Sequence, residues 1–306
     1  MKRIPTPISG LALAIASLGL LLESVFPSNK VIQYSLGFVA LFFIVLLTIR
    51  FIKYPITFFN DLKHPVINSV IPTYSMSLMA ISKSIYNLNK SIGLGIWFFS
   101  IGLHLFFLFM FLKEQKKIFK VENLIPSWFV PPVGIVVACV SMPDKAYISV
   151  AQVIFWFGFT FYIILLPIML NRVLFYDKIA TEKQPTIAIF AAPSSLCLAG
   201  YLNAFPAPNF VIVTFLFGMA LLFTGTIYMS FYHILKENFH YGFVALTFPM
   251  VISATALNMY MHWSKIFNIN SLILKTLVKI EILVAIIVVT YVFLNYLYNI
   301  SIAHKK

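Results

Sequence analysis

The sequence predicts an all-α integral membrane protein: ten transmembrane helices, paired as five helical hairpins in a quasi-fivefold ring around a central pore. Three observations lead there. The 306 residues are 61% hydrophobic and only 10% charged, with a mean hydropathy of +0.94. The apolar residues fall into ten runs, and Pro and Phe recur with a period of two runs. A water-soluble fold of this size needs far more charge to cover its surface, whereas helices that are apolar all round use lipid as solvent. Membrane strands would alternate apolar and polar residues, and stretches such as GIWFFSIGLHLFFLFMFL have no such period.

The first run, 8–26, follows Met1-Lys2-Arg3 and closes around Glu23. Its start resembles a secretory signal peptide, but no small-x-small cleavage site follows, so it counts as a span. The second, 32–52, closes at Arg50 and Lys53; the third, 66–86, begins after His64-Pro65; the fourth, 92–112, is closed by KEQKKIFK. The fifth, 126–143, opens on Pro126-Ser127-Trp128 and is followed by the sixth, 149–171, which ends before Arg172. The seventh, 185–204, begins at Pro185; the eighth and ninth cover 209–234 and 241–262, with Lys236 between them. Lys275, Lys279 and Glu281 open the tenth, 280–300, where they can snorkel to the interface. Each run suits a bilayer crossing, and the links are too short for a soluble domain. Residues 1–306 are therefore expected to form a single pore domain with repeats at about 8–52, 66–112, 126–171, 185–234 and 241–300.

The formal charge of +13 would suggest a nucleic-acid partner in a soluble protein. Here the charges lie between apolar runs, and no nucleic acid is expected. With ten spans, 15 Lys and Arg fall on one side, including Arg50, Lys53, Lys113, Lys116, Lys117 and Arg172, against 7 on the other, including Lys83, Lys90 and Lys145. The positive-inside rule then puts both termini in the cytoplasm of a multi-pass protein of the cell inner (plasma) membrane. KEQKKIFK reads as a topology signal that also meets anionic membrane lipid. Cys139 and Cys197 lie inside apolar runs without metal-ligand spacing, so neither a metal nor a cofactor is expected.

Odd and even runs differ in composition. The odd runs contain five Phe (Phe26, Phe129, Phe190, Phe243 and Phe248) and the even runs twenty, six of them in the fourth. Bulky aromatics suit a lipid-facing surface, while small and hydroxyl residues let helices approach closely or line a wet path. The odd helices should form the inside. Pro7, Pro72, Pro132, Pro193 and Pro249, separated by 65, 60, 61 and 56 residues, all lie in or at the start of odd runs; Pro167, in an even run, is an exception. Intramembrane proline frees a carbonyl and kinks a helix, tolerated where hydroxyls or water satisfy it. Thr73, Ser194, Ser195 and Thr247 lie beside these prolines as possible pore-wall residues. Each repeat crosses the membrane twice, so the repeats share one orientation, unlike inverted-repeat carriers. That favours a channel.

No Asp or Glu lies in the middle of an odd run, so a cation would find no site. A conducted anion needs hydrogen-bond donors, a positive surrounding potential and a fitting diameter. His104, in an outer run, is expected to be packed or hydrogen-bonded. No HExxH, GxSxG, Gly-rich phosphate loop or carboxylate pair supports an enzyme.

Certain segments are more specific: His64-Pro65-Val66 with Asn68-Ser69 and Pro72-Thr73, PSWFVPPVG from Pro126, Pro185-Thr186-Ile187-Ala188-Ile189 with Ala192-Pro193-Ser194-Ser195-Leu196, and Leu246-Thr247-Phe248-Pro249-Met250. Together they resemble the tellurite-resistance/dicarboxylate transporter family, which includes the bacterial TehA proteins and the plant slow-type anion channels. The resemblance covers about residues 8–300. It implies a ten-helix protomer of five hairpins around a pore, assembly as a homotrimer, and small inorganic or organic anions as substrates. It also implies occlusion of the pore by a Phe on the ninth helix, matched here by Phe248, with Phe243 as the competing candidate. Only seven residues precede the first run and six follow the last, so regulation by a terminal domain is not expected. The first functional reading is a passive anion channel. The alternative is a carrier exporting C4-dicarboxylates such as malate, sulfite or tellurite-type oxyanions; a third is a membrane assembly protein with a vestigial pore.

Overall fold

A computed structural model describes residues 4–117, 119–121, 124–176, 181–268 and 271–305, and among these every regular element is helical. The chain runs α1 (Ile8–Val25), α2 (Val31–Lys53), α3 (Pro55–Lys63), α4 (Pro65–Val70), α5 (Thr73–Leu88), α6 (Lys90–Gln115), α7 (Val130–Val133), α8 (Val137–Val140), α9 (Ile148–Phe175), α10 (Ala191–Ala204), α11 (Phe210–Ile234), α12 (Thr247–Ser264) and α13 (Leu272–Lys305). Tighter 3₁₀ segments at Pro126–Phe129, Gly134–Val136, Thr181–Phe190 and Tyr241–Leu246 interrupt or precede several of them.

Eight helical stretches are long and apolar enough to cross a membrane: Ile8–Val25, Val31–Lys53, Lys90–Gln115, Lys145–Phe175, Gln184–Ala204, Phe210–Ile234, Tyr241–Phe267 and Leu272–Ser301. The two other runs expected to span are divided into shorter helices, none of them that long. The run 66–86 is divided between α4 and α5 around Pro72, and 126–143 is a succession of 3₁₀ and α turns around Pro131 and Pro132. Proline lacks the N–H that continues an α-helical ladder, so the chain changes pitch at these points. The tenth span also starts earlier than its charges suggested: α13 begins at Leu272, so Glu281 lies well inside the helix rather than at its end.

Burial separates two kinds of helix. Over the most apolar 18 residues of the stretches containing α1, α10 and α12, 67, 83 and 78% are buried in the protein, against 33% for those of α2, α6, α9, α11 and α13. The Phe-rich surface is accordingly exposed, as at Phe38, Phe42, Phe99, Phe109 and Phe210. Each well-buried helix packs on the outer helix that follows it: α1 on α2, α5 on α6, α7 and α8 on α9, α10 on α11, and α12 on α13. Among themselves, α1 packs on α5 and α12, α12 on α10, α10 on α8, and α8 on α5.

The turns follow from local chemistry. Between α1 and α2, Asn29 and Lys30 adopt left-handed backbone angles, and the Glu23 carboxylate accepts from the Ser28 and Lys30 N–H groups at 2.7 and 2.8 Å. Asn89 accepts from the Ile92 N–H to cap α6, and Asn209 from that of Val211 to cap α11. Val136 shows how closely inner and outer helices meet. A Cβ on Gly158 of α9 or Gly200 of α10 would lie 2.3 or 2.5 Å from its methyl groups, so only glycine fits at either position.

Candidate pore

In the sequence each inner segment carries a proline near its first α-helical turn. Pro7 precedes α1, Pro72 precedes α5, and Pro193 and Pro249 are the third residues of α10 and α12. Proline is tolerated there because first-turn N–H groups have no intrahelical acceptor. For α10 and α12 the preceding chain is 3₁₀, so the proline marks the change of pitch within the span.

A cavity of about 100 Å³ lies at the level of these prolines, and every inner segment contributes to it. Pro7 and Gly10 come from the start of α1, Thr73 and Met76 from α5, Phe129 and Val133 from the third segment, Ile189 and Pro193 from the fourth, and Val244, Phe248 and Pro249 from the fifth. The wall is almost wholly apolar. Farther along the same segments, towards the C-terminal ends of α1, α5, α10 and α12, a wider space of about 720 Å³ is lined by Glu23, Ser24, Gln33, Lys83, Lys145, Asn203, Asn258 and His262 among others. The two spaces share no lining residue.

Of the predicted site residues, Phe248, Pro249, Pro193 and Thr73 meet at the narrow cavity. Phe248 is 8% exposed and contributes to the wall beside Pro249. Phe243 is wholly buried instead, its ring 5.3 Å from that of Phe239 and 5.1 Å from that of His240. Pro72 and Pro132 lie outside the lining. Pro72 turns its carbonyl to the Ser75 hydroxyl at 2.8 Å, and Pro132 is buried within α7. Ser194, Ser195 and Thr247 are buried away from it as well; the Ser195 and Thr247 hydroxyls donate to the Ala191 and Val244 carbonyls of their own segments.

The cavity also contains residues that composition did not single out. Gly10 is one: a Cβ there would lie 3.2 Å from Val244 and 3.8 Å from Thr73, at a point where three inner segments converge. Phe129 is another, edge-on to Phe190 at 5.9 Å. Its signal was the PSWFVPPVG segment that contains it. His104 is buried between α5 and the third segment, with Nδ1 3.0 Å from the Ser75 hydroxyl and Nε2 2.8 Å from the Pro131 carbonyl, the hydrogen-bonded packing role expected of it. At the wide space, Lys83 donates to the Met142 carbonyl at 2.6 Å and Asn203 to that of Cys139 at 2.7 Å, satisfying carbonyls at the C-terminal end of the third segment.

The comparisons with known proteins agree with the resemblance in the sequence. A family model described as SLAC1, voltage-dependent anion channel, matches residues 4–297. Two uncharacterized transporters of Methanocaldococcus jannaschii are similar. MJ0762 is 26% identical over 233 residues, 68% of each chain; MJ0576 is 26% identical over 260 residues, 76% of this chain and 75% of its own. A chain matched over nearly its whole length, with several long apolar helices, is a multi-pass membrane protein, and it belongs to the SLAC1 family of anion channels and transporters.

Proposed function

We propose that this protein is a channel for small anions, conducted along a path enclosed by its five inner segments and closed at Phe248. The observation that carries the proposal is the narrow cavity, to which all five inner segments contribute and on whose wall Phe248 sits next to the proline that starts its helix turn. The succession of contacts α1, α5, α8, α10, α12 and back to α1 supports five hairpins around an axis within one domain. An apolar constriction closes by excluding water, and a ring on a segment of changing pitch can swing aside without unfolding its neighbours. The wider space, with Lys83 and Lys145 on its wall, supplies positive potential on one side of the constriction.

Planar-bilayer recording of reconstituted protein tests the gate. Phe248→Ala is expected to give constitutive currents whose reversal potential follows a chloride or nitrate gradient. A variant present in the bilayer that carries no more current than the parent would overturn the assignment. The two relatives are called transporters, which favours a second reading as a carrier; the resemblance in the sequence would give it C4-dicarboxylates, sulfite or tellurite-type oxyanions as substrates. Uptake without unitary currents would support it. Assembly as a homotrimer, residence in the cell inner (plasma) membrane and cytoplasmic termini complete the proposal.

A further inference from the structure

An ionised carboxylate inside a membrane is costly unless a cation or several donors hold it. Glu281 is in this position. It lies inside α13, is 5% exposed, and is absent from the ion pairs of the described residues. It turns inward, accepting a 2.7 Å hydrogen bond from the Ser253 hydroxyl of α12. The Ser253 oxygen is in turn 2.9 Å from the Thr224 hydroxyl of α11, so three helices meet in one buried chain of polar atoms. Beside it is a cavity of about 10 Å³, lined by Glu281 and Ser253 with apolar residues of α10, α11 and α12, the size that admits a single water.

We propose that Glu281, with Ser253 and Thr224, forms a buried proton-binding site whose occupancy sets the rate of anion passage. The proton site stands on the geometry alone; its effect on anions rests on the channel reading above. With Glu281 ionised, Thr224 donates to Ser253 and Ser253 to the carboxylate. One proton taken from water reverses the chain. The carboxylic acid then donates to Ser253, Ser253 donates to Thr224, and Thr224 turns its hydroxyl to a carbonyl of its own helix. No bond between heavy atoms changes. The polarity of the contact between α11, α12 and α13 does.

Ser253 lies five residues beyond Phe248 on α12, about 7.5 Å along the helix. Glu281 therefore acts on the segment that carries the constriction. As a carboxylate it places an unpaired negative charge on the flank of that helix, where it opposes an anion in the path; protonation removes the charge. Other titratable groups are few. On α11 the buried Tyr228 hydroxyl, one turn beyond Thr224, makes no hydrogen bond among the described residues. On α12, Tyr260 and His262 lie beyond Leu257; α10 presents Leu198; α1 carries only Glu23 as a charged residue; on α13, Lys275 and Lys279 are exposed.

The test combines infrared difference spectroscopy of the reconstituted protein during a pH titration with anion efflux from liposomes over the same range. The expected results are a carboxylic-acid carbonyl band that disappears as pH rises and is missing in Glu281→Gln, and efflux that slows over the same interval in the parent. Glu281→Gln should lose the pH dependence and hold the fast, low-pH rate throughout. Ser253→Ala removes a donor to the ionised form and should move the midpoint to higher pH. No Glu281-dependent band, or a parental pH profile in Glu281→Gln, overturns the proposal. Absence of efflux from every variant, Phe248→Ala included, counts against the channel reading, while the infrared band still decides the proton site.

Discussion

Phe243 and Phe248 are separated by five residues, yet they occupy different surroundings. Phe248 borders the narrow cavity, whereas Phe243 is enclosed by Phe239 and His240. Truncating an enclosed ring leaves a void whose lining cannot collapse, so Phe243→Ala is expected to cost about 3–5 kcal/mol, read as a fall in thermal unfolding temperature in detergent, without opening a conductance. Phe248→Ala, at a cavity that already exists, should cost much less and produce current. Glycine gives a second contrast at this scale. A Cβ at Gly93 would lie 2.3 Å from the Tyr86 backbone, which cannot move without separating α5 from α6, while one at Gly95 would meet nothing within 4 Å. Gly93→Ala should therefore destabilise by about 1–3 kcal/mol through overpacking. Gly95→Ala should be neutral or stabilise by about 0.5–1 kcal/mol through helix propensity, in the same unfolding assay.

At the scale of elements, the ends of the helices divide into those held by local caps and those held by distant partners. Asn89 and Asn209 sit just before the helices they cap, and such caps are visible in sequence. Arg50 behaves otherwise. Buried in the last turn of α2, it pairs with Asp61 of α3 at 3.1 Å and donates to the hydroxyl of Thr6, just ahead of α1. Three separate parts of the chain are joined by one guanidinium. From the sequence Arg50 was one of 15 residues on the basic side; only folding shows that it is occupied by a partner. Removing it strands the Asp61 charge, so Arg50→Met is expected to cost about 3–5 kcal/mol, and Arg50→Met with Asp61→Leu distinctly less than the sum of the two single changes. A double-mutant cycle of unfolding in detergent checks this.

On the scale of the whole molecule, the contrast between buried and exposed helices explains why the Phe count was informative. Lipid accepts large apolar side chains on any outward face, so aromatics accumulate on helices that are one-third buried, and small residues on helices that are mostly buried. The asymmetry of 15 against 7 cationic residues makes a global prediction. Reporter fusions at both ends should be active only where the cytoplasm is required, such as green fluorescence rather than periplasmic phosphatase activity. Moving the charges of Lys113, Lys116 and Lys117 to the opposite links should weaken that preference.

Composition and periodicity determined the solvent, the helical class and the pairing of an apolar inner segment with an aromatic outer one, because bilayer thickness and backbone hydrogen bonding allow few alternatives. They also located the prolines, though not the pitch changes that divide 66–86 and 126–143 into short pieces, since 3₁₀ and α turns are of similar stability and packing chooses between them. The environment of each side chain was decided by tertiary structure alone. Glu281 read as a snorkelling charge at a helix end and proved to be turned inward on Ser253, while Phe243, the competitor to Phe248 in the sequence, proved to lie off the cavity wall that Phe248 borders. Rotation about a helix axis and the start of a span are both set by contacts between segments distant in the chain, which a local pattern of apolar residues does not encode.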